Sequence, residues 1–405
     1  MWSRWSNSRL RRRRRPASIT MALVVSLTVL LGVLALALDW AYVNMAHVEL
    51  GRATDAASLA AAHALVDEDQ LRGPTNIAKT CSSAIQRARD VAGLNLTAGE
   101  PTDLEFAGNN LQVSDIRFGS MVTSTAGTLE FMPNFSSLPD TVQVTARRTR
   151  ASNNPLGLLL GSFLGVSSAD LVTRSCATLD DRIVGFKPVA NVPVPVVPLA
   201  ILLNDQQGDR QDTWESAITQ RGGGDSFGYD SDRNRVDSHA DRIPELELVS
   251  GLPNDAGTNP KSNVALLDLG DGYDFPTVTN RIRKGLGTQD LGGLAGSLRL
   301  DSANRLSLHG SPQLPRELAA AFRDIRGQCR VWPVYAEKKD SPQPNHNFEI
   351  VGFVGARVLQ VRDTRDGRLA VRVQPCFVVT RSAIAEPRTS SVPKNFYVRK
   401  LSITG

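Results

Sequence analysis

Hydrophobic and polar residues separate most clearly near the start of the chain, where one long apolar run stands out. No charged residue occurs between Ala17 and Leu38. As a helix, about 22 residues would extend roughly 33 Å, which is enough to cross a hydrocarbon core of roughly 30 Å. A secretory signal peptide usually has a shorter apolar region of about 7–15 residues. The run therefore favours a transmembrane anchor, and the alternative is a cleaved signal peptide with Ala35-Leu36-Ala37 as its cleavage site.

A second pattern extends the helix beyond the apolar run. Residues 39–66 contain no proline, and Gly51 is their only glycine. Alanines recur there at steps of three and four residues, so they share one face of a helix. These alanines are Ala53, Ala56, Ala57, Ala60, Ala61 and Ala64. The helix is thus predicted to run from Ala17 to about Val66. Its narrow face would let another helix approach closely, either from the protein's own head or from a partner, and the pattern leaves both open.

Beyond residue 66 the pattern changes to short strands with few helices. Val142, Val144 and Ala146 alternate with polar residues, which is typical of a half-buried strand. Segment 188–200 is rich in proline and predicts an extended connector between two subdomains. The fold class is therefore α+β, with a long helix followed by a β-rich head. The predicted parts are a basic tail (1–16), the helix (17–66), an α+β domain (67–187), the connector (188–200) and a β-rich domain (201–405).

Some local elements within the head can also be predicted. The apolar stretch 154–170 indicates a short buried helix near Pro155, because it is too short and too rich in glycine for a second membrane span. Further helices are expected within 77–93 and 312–327. Two hairpins are expected, one turning over Ser302-Ala303-Asn304 and the other over Asp366-Gly367.

The charge distribution gives the orientation of the anchor. Arg4, Arg9 and Arg11 to Arg15 carry seven positive charges, and the first 16 residues contain no acid. Removing these seven charges from the net charge of +5 leaves −2 for the rest of the chain, so no nucleic-acid partner is expected. Asp39 and Glu49 follow the apolar run. The positive-inside rule then places the N-terminus in the cytoplasm and the head outside it, with a single pass through the inner membrane.

The N-terminal pattern resembles a known family. An arginine cluster, an apolar span that ends at Leu38-Asp39, and then "LGRATDAASLAAA" (50–62) resemble the first segment of TadE/TadG-like proteins of Flp (tight adherence) pilus assembly. The family pattern reads Leu-Gln-x-Ala-Ala-Asp-Ala-Ala-Ala-Leu-Ala-Ala-Ala. Asp55 and Leu59 fit it, while Gly51 replaces the glutamine. The resemblance covers residues 11–66, and a looser one links 141–187 to the heads of longer TadG-like proteins.

The family resemblance implies a pilin-like helix that works in pilus biogenesis and cell adhesion. Its expected partners are the membrane, other pilus-assembly or pilin-like proteins, and a second copy of the chain. A processed pilin-like subunit has a glycine-type cleavage point before its apolar helix, whereas here Arg15 is followed by Pro16. A permanently anchored, TadG-like protein is therefore the better fit. Asp39, Asp55 and the alanine face are the expected residues for anchoring and helix packing.

Four cysteines are present, and none lies in a C-x-x-C pair. A zinc or redox motif is therefore not expected. Outside the cytoplasm disulfides can form, and two cysteines fall in each predicted domain. The expected pairs are Cys81 with Cys176 and Cys329 with Cys376, although four cysteines permit three pairings.

No pattern for catalysis or for cofactor binding emerges from the sequence. Neither H-E-x-x-H, nor G-x-S-x-G, nor a phosphate loop occurs, and the five histidines are expected to be surface or packing residues. Asp230, Asp232, Asn234 and Asp241 have the spacing of some calcium ligands, but Arg235 stands where that loop needs glycine. A solvated hairpin is the simpler interpretation. No cofactor, no metal and no enzymatic activity are expected.

We therefore expect a membrane-anchored pilus-assembly component that acts by binding proteins in the cell envelope. Replacing Ala57 with leucine is expected to disturb assembly more than folding of the head. The alternatives are an anchored hydrolase of the envelope and a general surface protein that shares only the anchor.

Overall fold

The computed structural model describes residues 16–105, 114–124, 127–134, 137–189, 192–205, 210–250, 262–270, 272–336, 347–365, 367–386, 395 and 397–404. A long apolar helix at the N-terminus is followed by a β-rich region with several sheets, which confirms the predicted fold class. Most of the basic tail, His346 and Asp366 lie outside the described residues.

Helices and strands follow one another along the head in a mixed order. The α-helices are α1 (Pro16–Ala64), α2 (Asp69–Arg72), α3 (Ile77–Leu94), α4 (Phe275–Lys284) and α5 (Ala319–Asp324). The strands are β1 (Leu96–Thr97), β2 (Glu100–Pro101), β3 (Ile116–Thr123), β4 (Leu129–Pro133), β5 (Thr141–Arg148), β6 (Leu156–Gly157), β7 (Ser168–Ala169), β8 (Leu171–Asp180), β9 (Ile183–Phe186), β10 (Leu199–Leu202), β11 (Gly228–Asp230), β12 (Arg235–Asp237), β13 (Leu246–Val249), β14 (Val264–Leu267), β15 (Leu298–Arg299), β16 (Leu306–Ser311), β17 (Cys329–Ala336), β18 (Asn347–Asp363), β19 (Leu369–Pro375), β20 (Val378–Thr380), β21 (Ala383–Ala385) and β22 (Val398–Ile403).

Helix α1 begins at Pro16 and ends at Ala64, within two residues of the bounds predicted from the sequence. Proline is favourable in a first turn because the amide hydrogen it lacks has no partner there. An 18-residue window of the helix has a mean hydropathy of 2.7, and none of that window is buried by the rest of the protein. The hydroxyls of Ser26 and Thr28 donate to backbone carbonyls one turn earlier. This hides their polar groups within the apolar span.

The first part of the head is a six-stranded sheet with two helices on one face. Its strand order is β20-β22-β8-β5-β3-β4. Helix α3 and the part of α1 that follows the apolar span form a core with Phe118, Val142 and Val144 of this sheet. Helix α3 starts at a capping residue, Asn76, whose side chain accepts from the Lys79 amide. Strands β20 and β22 come from the C-terminal region, so residues 67–187 and 201–405 share this sheet.

The second part is a seven-stranded sheet that is covered on both faces. Its order is β13-β19-β18-β16-β14-β10-β17. In β10, Leu199 and Ile201 point into the core beneath α4 and α5, whereas Ala200 and Leu202 point into the core beneath the small sheet β15-β9-β21. Burial on both faces explains why the central strands β10 (LAIL) and β14 (VALL) read as continuous apolar runs rather than as alternating ones.

Several local predictions were correct and others were wrong. Helices α3 and α5 and the β18–β19 hairpin are present as expected. The turn at 302–304 also forms, but β15 and β16 on either side of it pair in different sheets. The segment 192–198 is extended, yet Val194 and Val196 are fully buried and bridge to the second part of the head. The stretch 154–170 is not a buried helix: strands β6 and β7 pair within it and enclose a loop with a 3₁₀ turn, Gly161–Leu164.

One of the two expected disulfides is present. Cys329 and Cys376 are bonded, with Cα atoms 6.1 Å apart. The other pair was wrong, because Cys81 and Cys176 are free buried thiols. Side chains alternate along β8, and its odd-numbered residues Thr173 and Ser175 contact α1. Cys176 therefore points away from the helices, whereas Cys81 packs among them. Burial raises the pKa of the Cys81 thiol, which keeps it protonated and unreactive.

Candidate assembly surface

The alanine-rich part of α1 divides into a covered face and an open face. Ala53, Ala57 and Ala61 are fully buried in the head. Ala56, Ala60 and Ala64 are only partly buried. Since the covered residues recur every four positions, they form one stripe along the helix, and this stripe packs on α3 and on the sheet.

Two hydroxyl contacts fix the register of this packing. The Thr54 and Thr173 hydroxyl oxygens are 2.6 Å apart, and those of Ser58 and Ser175 are 3.1 Å apart. Both residues on α1 are buried where the family pattern has alanines. The Thr54 hydroxyl also donates to the Leu50 carbonyl, and the Ser58 hydroxyl donates to the Asp55 carbonyl. The polar groups are thus satisfied although they are buried.

The structure places Ala57 inside the head. It has no exposed surface and lies between α1, α3 and the first sheet. A substitution there is therefore expected to act first on folding of the head, and its effect on assembly stays a prediction.

The opposite side of α1 above the apolar span remains open. Met45 is 50% exposed and Val48 is 52% exposed. We call this side the open face. It consists of Ala41, Met45, Val48, Arg52, Asp55 and Ala56, and each of these residues has another member three or four positions away. The open face continues the exposed surface of the apolar span, so one partner helix could run along both.

Asp39 joins the end of the span to the head. Its side chain is buried, and its carboxylate accepts hydrogen bonds from the backbone amides of Leu159 at 2.9 Å and Leu160 at 3.0 Å. A second carboxylate oxygen lies 3.2 Å from the Leu160 nitrogen. A carboxylate is a stronger acceptor than a carbonyl, so these bonds hold the loop 158–167 against the helix.

The comparisons with known proteins address this same helix. Residues 17–64 match the family model Tad, which describes Flp pilus-assembly TadE/G-like proteins. The N-terminal segment is TadE/G-like. The matched range coincides with α1 and does not extend into the head. No curated protein and no solved structure matches the chain significantly.

The Tad segment therefore links the chain to Flp pilus assembly, and a membrane-spanning length of apolar helix lies within it. Of the residues expected to act in assembly, Asp39, Ala53, Ala57 and Ala61 contact the protein's own head. Asp55 and Ala56 lie on the open face. Among the described residues, nothing donates to the Asp55 carboxylate, which leaves it available to a partner.

A salt bridge ties the region just after the Tad segment to the second sheet. Arg357 on β18 pairs with Glu68, and one of the two nitrogen–oxygen distances is 3.2 Å. The guanidinium also lies 3.4 Å from the ring centroid of Tyr229, as a cation–π contact. Nearby, Arg221 donates to the Leu71 carbonyl at 3.1 Å. The Arg357 side chain is 4% exposed, so most of its hydrogen-bonding capacity depends on these partners.

The acidic segment 230–241 is the hairpin that the sequence favoured. Strands β11 and β12 pair across it. The Asp230 carboxylate accepts from the amides of Asp232 and Arg233, while Asp237 pairs with Arg235 at 3.1 Å. Burial raises the pKa of Asp241, whose side chain accepts from backbone amides. Within the described ranges, no group of three or more potential metal ligands occurs, and His47, His63, His239 and His309 are exposed.

Replacing Asp39 with alanine should loosen the loop 158–167 while α1 stays helical. Two backbone amides would lose a charged acceptor, at a cost of about 1–3 kcal/mol. Amide hydrogen exchange at Leu159 and Leu160 in the full-length protein would measure this as faster exchange. His47→Ala, on an exposed position two turns later, is the control and should leave both amides unchanged. Unchanged protection in Asp39→Ala would contradict the proposed role of the carboxylate.

Proposed function

We propose that this protein is a single-pass component of Flp/Tad-type pilus assembly that acts by binding other proteins in the cell envelope. Its basic N-terminus would lie in the cytoplasm, its span in the inner membrane and its head outside. The observation that carries the proposal is the structure of α1. One continuous helix contains a fully exposed apolar span and, above it, an open face that the head leaves uncovered.

Three features support the parts of this proposal. The match to Tad links the helix to pilus assembly. The seven arginines before the span and the acids after it favour an N-terminus in the cytoplasm. The open face carries apolar side chains next to the membrane and, further out, the Asp55 carboxylate, which pairs with no other residue in the described part of the chain. A pilin-like helix with apolar side chains and a complementary positive charge fits such a surface, because apolar side chains outside the lipid are stabilised by burial against a partner and opposite charges favour the matching partner.

Site-specific crosslinking from the open face would test the binding role. A photoreactive group attached to Val48→Cys in cells should yield adducts with pilin-like or other pilus-assembly proteins, or a dimer of the chain. Leu129→Cys is the matched control, since Leu129 is 51% exposed but lies on β4 at the far end of the head. Adducts from both positions, or from neither, would reject the open face as the binding surface.

Cell fractionation with an antibody to the C-terminal region would test the anchor. We expect full-length protein in membranes, with the head open to protease only after the outer barrier is breached. A shortened form in sheared surface fibres would instead indicate a processed subunit that polymerises. A shortened soluble form would indicate a cleaved signal peptide, and then a secreted enzyme becomes the function to test.

A further inference from the structure

We propose that the loop 158–167 inserts its apolar side chains into the outer leaflet of the membrane, beside the transmembrane helix. The inference rests on the proposed anchor and adds a second contact between the head and the lipid. This apolar loop (158–167) lies within the stretch 154–170, which the sequence predicted to form a short buried helix.

Three large apolar side chains of the loop are exposed. Phe163 is 84% exposed, Leu159 is 60% exposed and Val166 is 51% exposed. No charged residue occurs from Pro155 to Ala169. A cluster of large apolar side chains without charges is unusual on a surface that faces only water, and it marks a contact with another apolar surface.

The position of the apolar loop identifies this surface as lipid. Asp39 is the first charged residue after the span, and its carboxylate holds the amides of Leu159 and Leu160. The loop thus lies at the height where the apolar span leaves the bilayer. Trp40, next to Asp39, is 71% exposed, and tryptophan is favoured at the boundary between lipid and water.

The direction of the strands supports this placement. Thr173 on β8 meets Thr54, and Ser175 meets Ser58, so β8 runs away from the membrane along α1. The apolar loop precedes β8 and is closed by the pair β6–β7. It is therefore at the membrane end of the head, whereas Ser58 is roughly 28 Å further along the helix from Asp39.

More than half of the backbone amides in the apolar loop have acceptors within the protein. Lipid offers no partner to a backbone amide, so each amide must be satisfied within the protein. Asp39 accepts from two of them. Leu158 donates to Ser167, Phe163 donates to Leu160, and Val166 donates to Gly161. Gly161 permits this compact shape, because a Cβ there would lie 2.4 Å from the Val166 carbonyl oxygen.

A fluorescent probe on the apolar loop would test the insertion. Phe163→Cys in the full-length protein can be labelled with an environment-sensitive dye and reconstituted in phosphatidylethanolamine–phosphatidylglycerol vesicles. The native cysteines should not react, because two are buried and two are bonded. We expect a blue-shifted emission that is quenched by brominated lipid and not by aqueous iodide. Val166→Cys should behave in the same way, which guards against a local effect of one substitution.

Two reference positions make the outcome decisive. Leu27→Cys lies within the span and should report lipid, whereas Leu129→Cys should report water. If Leu27 reports lipid while Phe163 and Val166 report water, the inserted loop is rejected and the anchor stands. If Leu27 also reports water, both the anchor and the inserted loop are rejected. Probes on the loop that are shielded from both quenchers would mean that a protein, and not lipid, covers it.

Discussion

Replacing Arg357 with alanine is expected to lower the free energy of unfolding of the second sheet by about 3 kcal/mol. The substitution removes a nearly buried guanidinium that pairs with Glu68 and lies over the Tyr229 ring. Glu68 keeps 27% of its side chain exposed, so water can partly solvate the carboxylate left behind. The loss in free energy of unfolding should therefore fall at the lower end of the range for breaking a buried ion pair. Urea unfolding of the full-length protein, followed by tryptophan emission to which the buried Trp332 on the neighbouring strand contributes, would measure the change.

Arg362 provides the matched control for this substitution. It lies on the same strand, β18, and pairs with Glu247 at 2.6 Å, but its side chain is 48% exposed. Because exposed pairs contribute little, Arg362→Ala should cost less than about 1 kcal/mol. A double-mutant cycle with Glu68→Ala would isolate the coupling between Arg357 and Glu68. Equal losses for the two arginines would show that burial does not set the strength of the Arg357 pair.

The long helix was predictable because its signals are local. Two patterns, the absence of charge over 17–38 and the repetition of alanine over 53–64, depend only on residues close in sequence. Together they predicted a start and an end close to those of α1. Helix α4 carries similar local signals, but it was not predicted, because it lies among segments whose patterns indicate strands. Asp274 caps its first turn by accepting from the Thr277 amide, and Gly285 follows its last residue with φ +88°.

The parts that could not be predicted depend on contacts between distant residues. The sequence of 398–403 indicates a strand, but nothing in it says that the strand pairs with β8, more than 200 residues earlier. The predicted Cys81–Cys176 pair failed for a similar reason, since the side of the sheet on which Cys176 lies depends on how β8 meets α1. For the stretch 154–170, high apolar content predicted burial within the protein, although a membrane nearby offers the same side chains another apolar surrounding.

Within the candidate site, the surroundings of the alanine face also depend on contacts with distant residues. Periodicity placed six alanines on one side of the helix but could not say which neighbour they meet. The head covers Ala53, Ala57 and Ala61, and it leaves Ala56 partly exposed on the open face. Adjacent residues in one motif therefore have different surroundings, and we expect substitutions to separate their effects.

Replacing Ala57 with leucine is expected to destabilise the head by about 1–3 kcal/mol. The added side chain has no space, because Ala57 is fully buried in the core between α1, α3 and the first sheet. It would push α1 away from β8, and the hydroxyl contacts of Thr54 and Ser58 would lengthen. Hydrogen exchange of the β8 amides in the full-length protein would report the loss as weaker protection.

Ala56→Leu is the matched control, one position along the same helix and partly exposed on the open face. It should change the stability of the head by less than about 0.5 kcal/mol. It should nevertheless reduce crosslinking from Val48→Cys, because the larger side chain obstructs a partner helix. Ala57→Leu with native β8 protection would mean that the helix does not pack on the head in this register. Equal crosslinking in Ala56→Leu and the unchanged chain would instead show that no partner reaches this part of the open face, and the binding surface would then be confined to the turns nearest the membrane.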